Sequence, residues 1–279
     1  SHDGIKKIWD FQTGKELQHF KGKEFTLSAL SADGKQVIGE DNVGYIVFWD
    51  ATTGEVINRI KKPDKQYCIS LFSPDNRYAI VERVKNTAFY PELWDLIECK
   101  KIRIFNFNKY NKNYQSFISP FGGAFSYDNK RVLSMFIDFT RFVLWNIYKD
   151  QPVLVFADEL YEKIGPSVFS RDGKYIVSGC EDDMTRLWDA VTGKEIVSMV
   201  SLKDDEWLIV TPDGYYDASE KADVHMIVED KNDNKCALSN YRETFYRPDL
   251  LKFVLSGGSL KEYKKISDVP IPEKCRIGN

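Results

Sequence analysis

Five short apolar runs end in tryptophan at nearly regular intervals. They are IKKIWD, YIVFWD, YPELWD, RFVLWN and MTRLWD, and their residues Trp9, Trp49, Trp94, Trp145 and Trp188 lie 40, 45, 51 and 43 residues apart. Such a period means repeated supersecondary units stacked on one another. A second marker keeps step with the first: SADGK, SPDNR, SYDNK and SRDGK begin at Ser31, Ser73, Ser126 and Ser170, with the aspartate 16, 19, 17 and 16 residues before the tryptophan. Gly or Asn after that aspartate accepts positive φ cheaply, so these are hairpin turns, and runs such as KQVIGE and KYIVSG beside them are strands. A third marker follows the tryptophan, a turn and one more short strand in TGKELQHF, TGEVINRI and TGKEIVSM. Each unit therefore holds four short strands in about 40 to 50 residues, and such a sheet cannot bury both faces alone.

The stretch SGCEDDMTRLWDAVTGKEI (Ser178 to Ile196) resembles the WD-repeat (WD40) family almost position by position, and DGIKKIWDFQTGKEL (Asp3 to Leu17) is nearly as similar. The resemblance implies an all-β fold, a β-propeller of four-stranded antiparallel blades. Residues 1–230 would supply a partial ring of about four complete blades plus two partial ones, N-terminally incomplete. Residues 231–279 would form a C-terminal helical extension and tail. In the family an aspartate six residues before the tryptophan joins a hydrogen-bond network with a Gly-His histidine. Asp3 and Asp182 occupy that position here, Val43, Ala88 and Phe139 replace it elsewhere, and Lys23 stands where the Gly-His pair would be. The structural residues implied are Trp9, Trp49, Trp94, Trp145, Trp188, Asp3 and Asp182.

The pattern changes toward the C-terminus. TPDG at Thr211 to Gly214 takes the place of the serine turns, and Ala222 to Glu229 reads as a third strand. Asn240 with Glu243 resembles a capping box, and Pro248-Asp249 opens a helix ended by Gly257-Gly258, whose Leu250, Leu251, Val254 and Leu255 form a face that should dock on the rim of the last unit. Trp207 with TPDGYYDAS, and YRETFYRPDLLKFVL, resemble the junction after the propeller in certain bacterial WD-repeat proteins, some of which continue into a caspase-like peptidase domain. That resemblance implies a bacterial sensor or regulatory arm as an alternative to a plain scaffold.

Enzymatic chemistry finds little footing. No cysteine sits in a nucleophile motif and no GxSxG elbow occurs. His2, His19 and His225 are scattered over different units, and the acidic groups Glu181-Asp182-Asp183 and Asp204-Asp205-Glu206 lack the alternation of a calcium loop. They read as solvated side chains, and Tyr215, Tyr216 and Asp217 as packing. No catalytic residue, metal site or cofactor is expected. A net charge of −3 and a pI near 5.8 lack the basic excess of a duplex binder. The run from Lys100 to Tyr114 mixes cations with aromatics as a single-stranded nucleic-acid binder does, but also fits a fourth strand and an enlarged loop with rings wedged between sheets. A nucleic-acid-binding or enzymatic propeller thus remains a further alternative. Five widely separated cysteines without a CxxC pair, and no apolar run long enough for a bilayer, suggest a reducing, cytoplasmic location without a membrane span.

The family uses one face, built from inter-blade loops and the turns between second and third strands, to bind proteins or peptides. That resemblance implies a partner-binding face here at Lys21, Lys23, Asp41, Lys61, Lys62, Lys65, Arg83, Lys109, Lys112, Asp138, Glu181 and Asp182, and a protein–protein interaction scaffold as the function.

Overall fold

A computed structural model describes residues 6–20, 28–31, 33–41, 43–61, 67–85, 88–98, 100–105, 118–119, 123–136, 141–149, 152–157, 164–230, 234–272 and 275. The chain is mostly β, in antiparallel sheets with a few short helices, and forms two compact units, Ser1–Gly173 and Lys174–Asn279.

In the first unit, β1 (Lys6–Trp9) and β2 (Glu16–Phe20) make a hairpin. Three four-stranded sheets follow: β3 (Ser28–Leu30), β4 (Gln36–Glu40), β5 (Tyr45–Asp50) and β6 (Val56–Lys61); β7 (Tyr67–Phe72), β8 (Tyr78–Lys85), β9 (Ala88–Asp95) and β10 (Lys100–Ile104); β11 (Ile118–Ser119), β12 (Arg131–Phe136), β13 (Arg141–Asn146) and β14 (Pro152–Ala157). Within each sheet every strand pairs with the next in the chain, and β15 (Ile164–Phe169) ends the unit.

The third strand of a sheet shows why the sheets stack. Ile46, Val47, Phe48 and Trp49 of β5 are all at most 7 % exposed. Successive side chains in a strand point to opposite faces, so such a run needs cover on both sides. Val47 and Trp49 pack with Phe20 and Ile8 of the preceding hairpin, whereas Ile46 and Phe48 pack with Ala79, Val81 and Trp94 of the following sheet. The arrangement repeats: Leu93 joins Phe125, Val132, Val143 and Trp145 of the β11–β14 sheet. Each large apolar side chain buried in this way stabilises by about 1.5–3 kcal/mol. The fourth strand needs less cover, and β6 leaves Val56 and Ile57 exposed.

The serine turns hold their hairpins by side-chain bonds. Ser31 Oγ donates to Asp33 Oδ1 (2.6 Å), and Ser31 Oγ accepts from the Gln36 amide (2.9 Å). Ser73/Asp75 and Ser126/Asp128 repeat the motif, with Asn76 and Asn129 at φ 60° and 59°.

The second unit continues with β16 (Tyr175–Cys180), β17 (Thr185–Asp189), β18 (Glu195–Ser201), β19 (Trp207–Val210) and β20 (Tyr216–Ala218), paired in that order. The TPDG hairpin therefore extends the edge of β18 rather than opening a sheet of its own. The strand expected over Ala222–Glu229 is corrected: residues 222–224 form a 3-10 turn, and only β21 (Ile227–Glu229) pairs, with β22 (Lys235–Ala237). The reason is Asp223, 1 % exposed, whose carboxylate accepts from Tyr216 Oη (2.7 Å) and pairs with Arg242 (3.2 Å), drawing the segment inward. Burial and Asp223 together push the Tyr216 phenol well above its ordinary range.

Helices α1 (Arg242–Phe245) and α2 (Pro248–Leu255) follow. Asn240 does not cap: its Nδ2 donates to the Ala237 carbonyl (3.0 Å), and α1 begins without a side-chain cap. Leu250 and Leu251 of α2 pack with Tyr215, Tyr216 and Phe245, and the Arg247 amide donates to the Tyr216 carbonyl (3.0 Å). Gly257, at φ 93°, ends α2 as its position suggested. Cys236 and Cys275 form a disulfide; spacing along a chain does not show which cysteines a fold brings together.

Candidate functional site

The tryptophans that mark the repeat are mostly scaffold. Trp145 Nε1 donates to Ser134 Oγ (2.8 Å) and Trp188 Nε1 to Ser178 Oγ (2.9 Å), in each case on the neighbouring second strand. Trp94 Nε1 donates instead to Glu92 Oε2 (3.0 Å), and Gly39 stands where the serine would be in the β3–β6 sheet. The pairing register shifts just before Trp9, Trp49, Trp145 and Trp188, a bulge that re-aims the ring. The residue after each tryptophan then caps the next turn: Asp50 Oδ1 accepts from the amides of Thr52 and Thr53 (2.8 Å each), and Asp10, Asp95, Asn146 and Asp189 do likewise. Trp9 differs from the others, 55 % exposed with Lys7 over its ring.

Asp182 lies in the β16–β17 turn, but its partner is an arginine, not a histidine. Arg186, 3 % exposed along its side chain, donates through Nη1 to Asp182 Oδ1 (3.0 Å) and through Nη2 to Oδ2, and faces Glu195 at 3.7 Å. Burial works against the charge on Arg186, and the carboxylate more than offsets it, so the guanidinium is held charged; burial likewise opposes the Asp182 charge, and Arg186 lowers its pKa nevertheless. A cation on β17 thus does the bracing that the family pattern assigns to a histidine.

The same end of this sheet carries an open groove of about 670 Å³. Thr185 opposes Met199, Met199 opposes Ile209, and Ser201 opposes Trp207, so these side chains share the face of β17, β18 and β19. Asp183 stands at the rim, and Trp207 is 41 % exposed. Two turns frame this end, 181–184 and 202–206, contributing Glu181, Asp182, Asp183, Asp204, Asp205 and Glu206 against Lys203. Of these, Asp182 is neutralised by Arg186, and Glu206 accepts from Ser219 Oγ and the Lys221 amide, while Asp183, Asp204 and Asp205 are exposed. In the first unit a smaller cavity of about 350 Å³ lies among Leu30, Phe72, Pro74, Asn76, Ala124 and Phe125.

Of the implied partner face, Lys61 and Glu181 are exposed, and Lys61 ends β6 opposite Tyr45, beside the 41–44 turn. Asp41 is turned inward: it is 8 % exposed, and its Oδ1 accepts from the Val43 and Tyr45 amides (3.0 and 2.9 Å), so it holds the turn. Arg83 lies in β8. Asp3, Lys21, Lys23, Lys62, Lys65, Lys109, Lys112 and Asp138 lie outside the described residues. From the cation–aromatic run, Lys100 to Ile104 form β10 and Phe105 is buried 5.0 Å from Trp145; residues 106–114 lie outside the described set. His19 pairs with Glu16 (3.2 Å) and His225 is exposed. Among the described residues no group of three or more His, Cys, Asp or Glu is placed to hold a metal ion, and no helix is long and apolar enough to cross a membrane. Sequence reasoning missed Ser134, Ser178 and Arg186. A serine ten or eleven residues before two of the tryptophans was the available signal for the first two.

Residues 167–189 match the family model described as WD domain, G-beta repeat, which covers β16, the Asp182 turn and Trp188. WD repeats point to a scaffold or interaction role and are typically non-catalytic. A search of curated proteins finds no match to this chain.

Proposed function

We propose that this chain is a non-catalytic WD-repeat scaffold, its sheets acting as the blades of a β-propeller over residues 1–230, with 231–279 as an extension, and that it binds a protein or peptide partner. The observation that carries this reading is the recurring module: a tryptophan braced from a neighbouring strand or its own, a bulge before it, a capped turn after it, and sheets that cover one another face to face. The match at 167–189 supports the same reading. Rigid repeats of this kind present loops on a fixed frame, where recognition concentrates.

The partner face is proposed at the sheet ends that carry Lys61, Arg83, Glu181 and Asp182, together with Lys21, Lys23, Lys62, Lys65, Lys109, Lys112 and Asp138, with Asp41 holding its turn from within. Reversing Lys61, Lys62 and Lys65 to glutamate weakens capture of partner proteins from lysate, the more so at low salt. Capture unchanged by the triple reversal rejects this face.

A second reading, a regulatory arm beside a caspase-like peptidase domain, draws support from the joining of the two resembling stretches, where Tyr216 and Tyr246 bridge and Arg247 bonds to Tyr216. Sequencing the surrounding gene tests it, and a locus with no peptidase domain in or beside this reading frame discards it.

A further inference from the structure

We propose that the groove over β17, β18 and β19 receives an extended segment of a protein partner in which a bulky apolar side chain is flanked by lysine or arginine. This rests on the scaffold reading and deepens it by naming a site and the chemistry of its occupant.

Three features converge. The floor is apolar and adaptable: Met199 and Ile209 are cross-strand neighbours, with Trp207 at the open end and Thr185 and Ser201 completing the face. Trp207 opposes the exposed Ser201, and its amide is held by Ser219 Oγ (2.8 Å), so the strand that presents the ring is anchored. A tryptophan on an anchored strand loses little conformational freedom when covered, which is why such residues dominate binding energies. At about 670 Å³ the groove exceeds what one side chain fills and suits a short stretch of peptide.

The rim decides the charge of the occupant. Asp183 lines the groove, and Asp204 and Asp205 are exposed on the turn that directly follows Ser201 and precedes Trp207. Asp182 and Glu206 already have partners within the chain, so the field left at this end comes chiefly from Asp183, Asp204 and Asp205 against Lys203. An acidic segment would be repelled and a neutral one would gain nothing from this rim, whereas lysine or arginine beside the buried apolar residue is drawn to it.

The test uses the full chain and three pools of immobilised octapeptides: bulky apolar residues with Lys and Arg, the same with Asp and Glu, and small polar residues with Lys and Arg. Retention by the basic-apolar pool should exceed that by either other pool about tenfold or more. Trp207→Ala should reduce it about tenfold or more. Asp183→Asn/Asp204→Asn, chosen because asparagine tolerates the left-handed backbone at both positions, should lower retention and flatten its salt dependence without disturbing the fold. Equal retention by the pools, preference for the acidic pool, indifference to both variants, or a dimer in which a second copy covers Trp207 overturns the proposal. If lysate capture survives these variants yet is lost on reversing Lys61, Lys62 and Lys65, the groove is removed and the scaffold reading stands.

Discussion

The β11–β14 sheet and the segment from β19 onward cover apolar sheet faces by different means. In the first, cover comes from a similar neighbour: Val132, Val143 and Trp145 lie against Tyr78, Ile80, Leu93 and Phe105 of the sheet before. In the second, cover comes from chain that is not a repeat. Tyr215, Tyr216 and Ala218 are buried by α1, α2 and the tail, tied down by a Tyr216–Asp223–Arg242 cluster, a Tyr215 Oη bond to the Lys264 carbonyl (2.7 Å) and the Cys236–Cys275 disulfide. A repeat can delegate cover to its neighbour, while a segment that breaks the repeat needs polar and covalent fastenings of its own.

The largest test of that contrast sets one tryptophan against another. Trp145, 0 % exposed with its indole N–H bonded, should cost about 3–5 kcal/mol on replacement by alanine. Trp9 carries the same sequence marker but is 55 % exposed, and Trp9→Ala should stay within about 0.5 kcal/mol. Urea unfolding of the two variants measures the difference. Equal losses would mean that stacking is not what the marker residue contributes.

The covalent fastening comes next. Reducing the Cys236–Cys275 bond, or Cys275→Ser, should lower the stability of the second unit by about 2–4 kcal/mol, since it frees a loop of 39 residues. Hydrogen exchange followed by mass spectrometry locates the effect. Added exchange should concentrate in β19 to β22 and α2, and a loss centred on β3–β6 would contradict the division of labour.

What the sequence disclosed follows the same line. The repeated strands were legible because tryptophan, aspartate and turn glycine recur at fixed offsets, and the short strands between them have only one sensible pairing. The β17 to β19 groove was not, because it depends on the TPDG hairpin joining the edge of β18, and nothing local distinguishes a hairpin that extends a sheet from one that begins another. Asp182 drew notice by position, yet its partner Arg186 sits four residues on, in a strand whose alternation would ordinarily bury an apolar side chain. The disulfide and Asp223 were hidden for a related reason, since both are long-range fastenings of the non-repeating part.

Within the repeats, the serine that braces the indole should matter less than the ring. Ser178→Ala and Ser134→Ala each leave an indole N–H without its partner and should cost about 1–2 kcal/mol by urea unfolding.

The smallest effect separates charged from neutral turn caps. The Thr53 amide, then that of Thr52, holds the Asp50 carboxyl below its ordinary 3.8. A carboxylate depressed on folding contributes stability that is present above the ordinary value and is lost as pH falls through the lower folded value. Asn146 caps the β13–β14 turn in the same way, accepting from the Tyr148 amide (2.9 Å), but has no proton to gain. The urea midpoint of Asp50→Asn should therefore lie below that of the parent at neutral pH, and the gap should close as the pH drops below 3.8. Asn146→Ala should instead give a gap that stays flat through the same range. A pH-independent gap at Asp50 would show that its two amide bonds do not depend on the charge, and the exposed turns would then be held by backbone geometry alone.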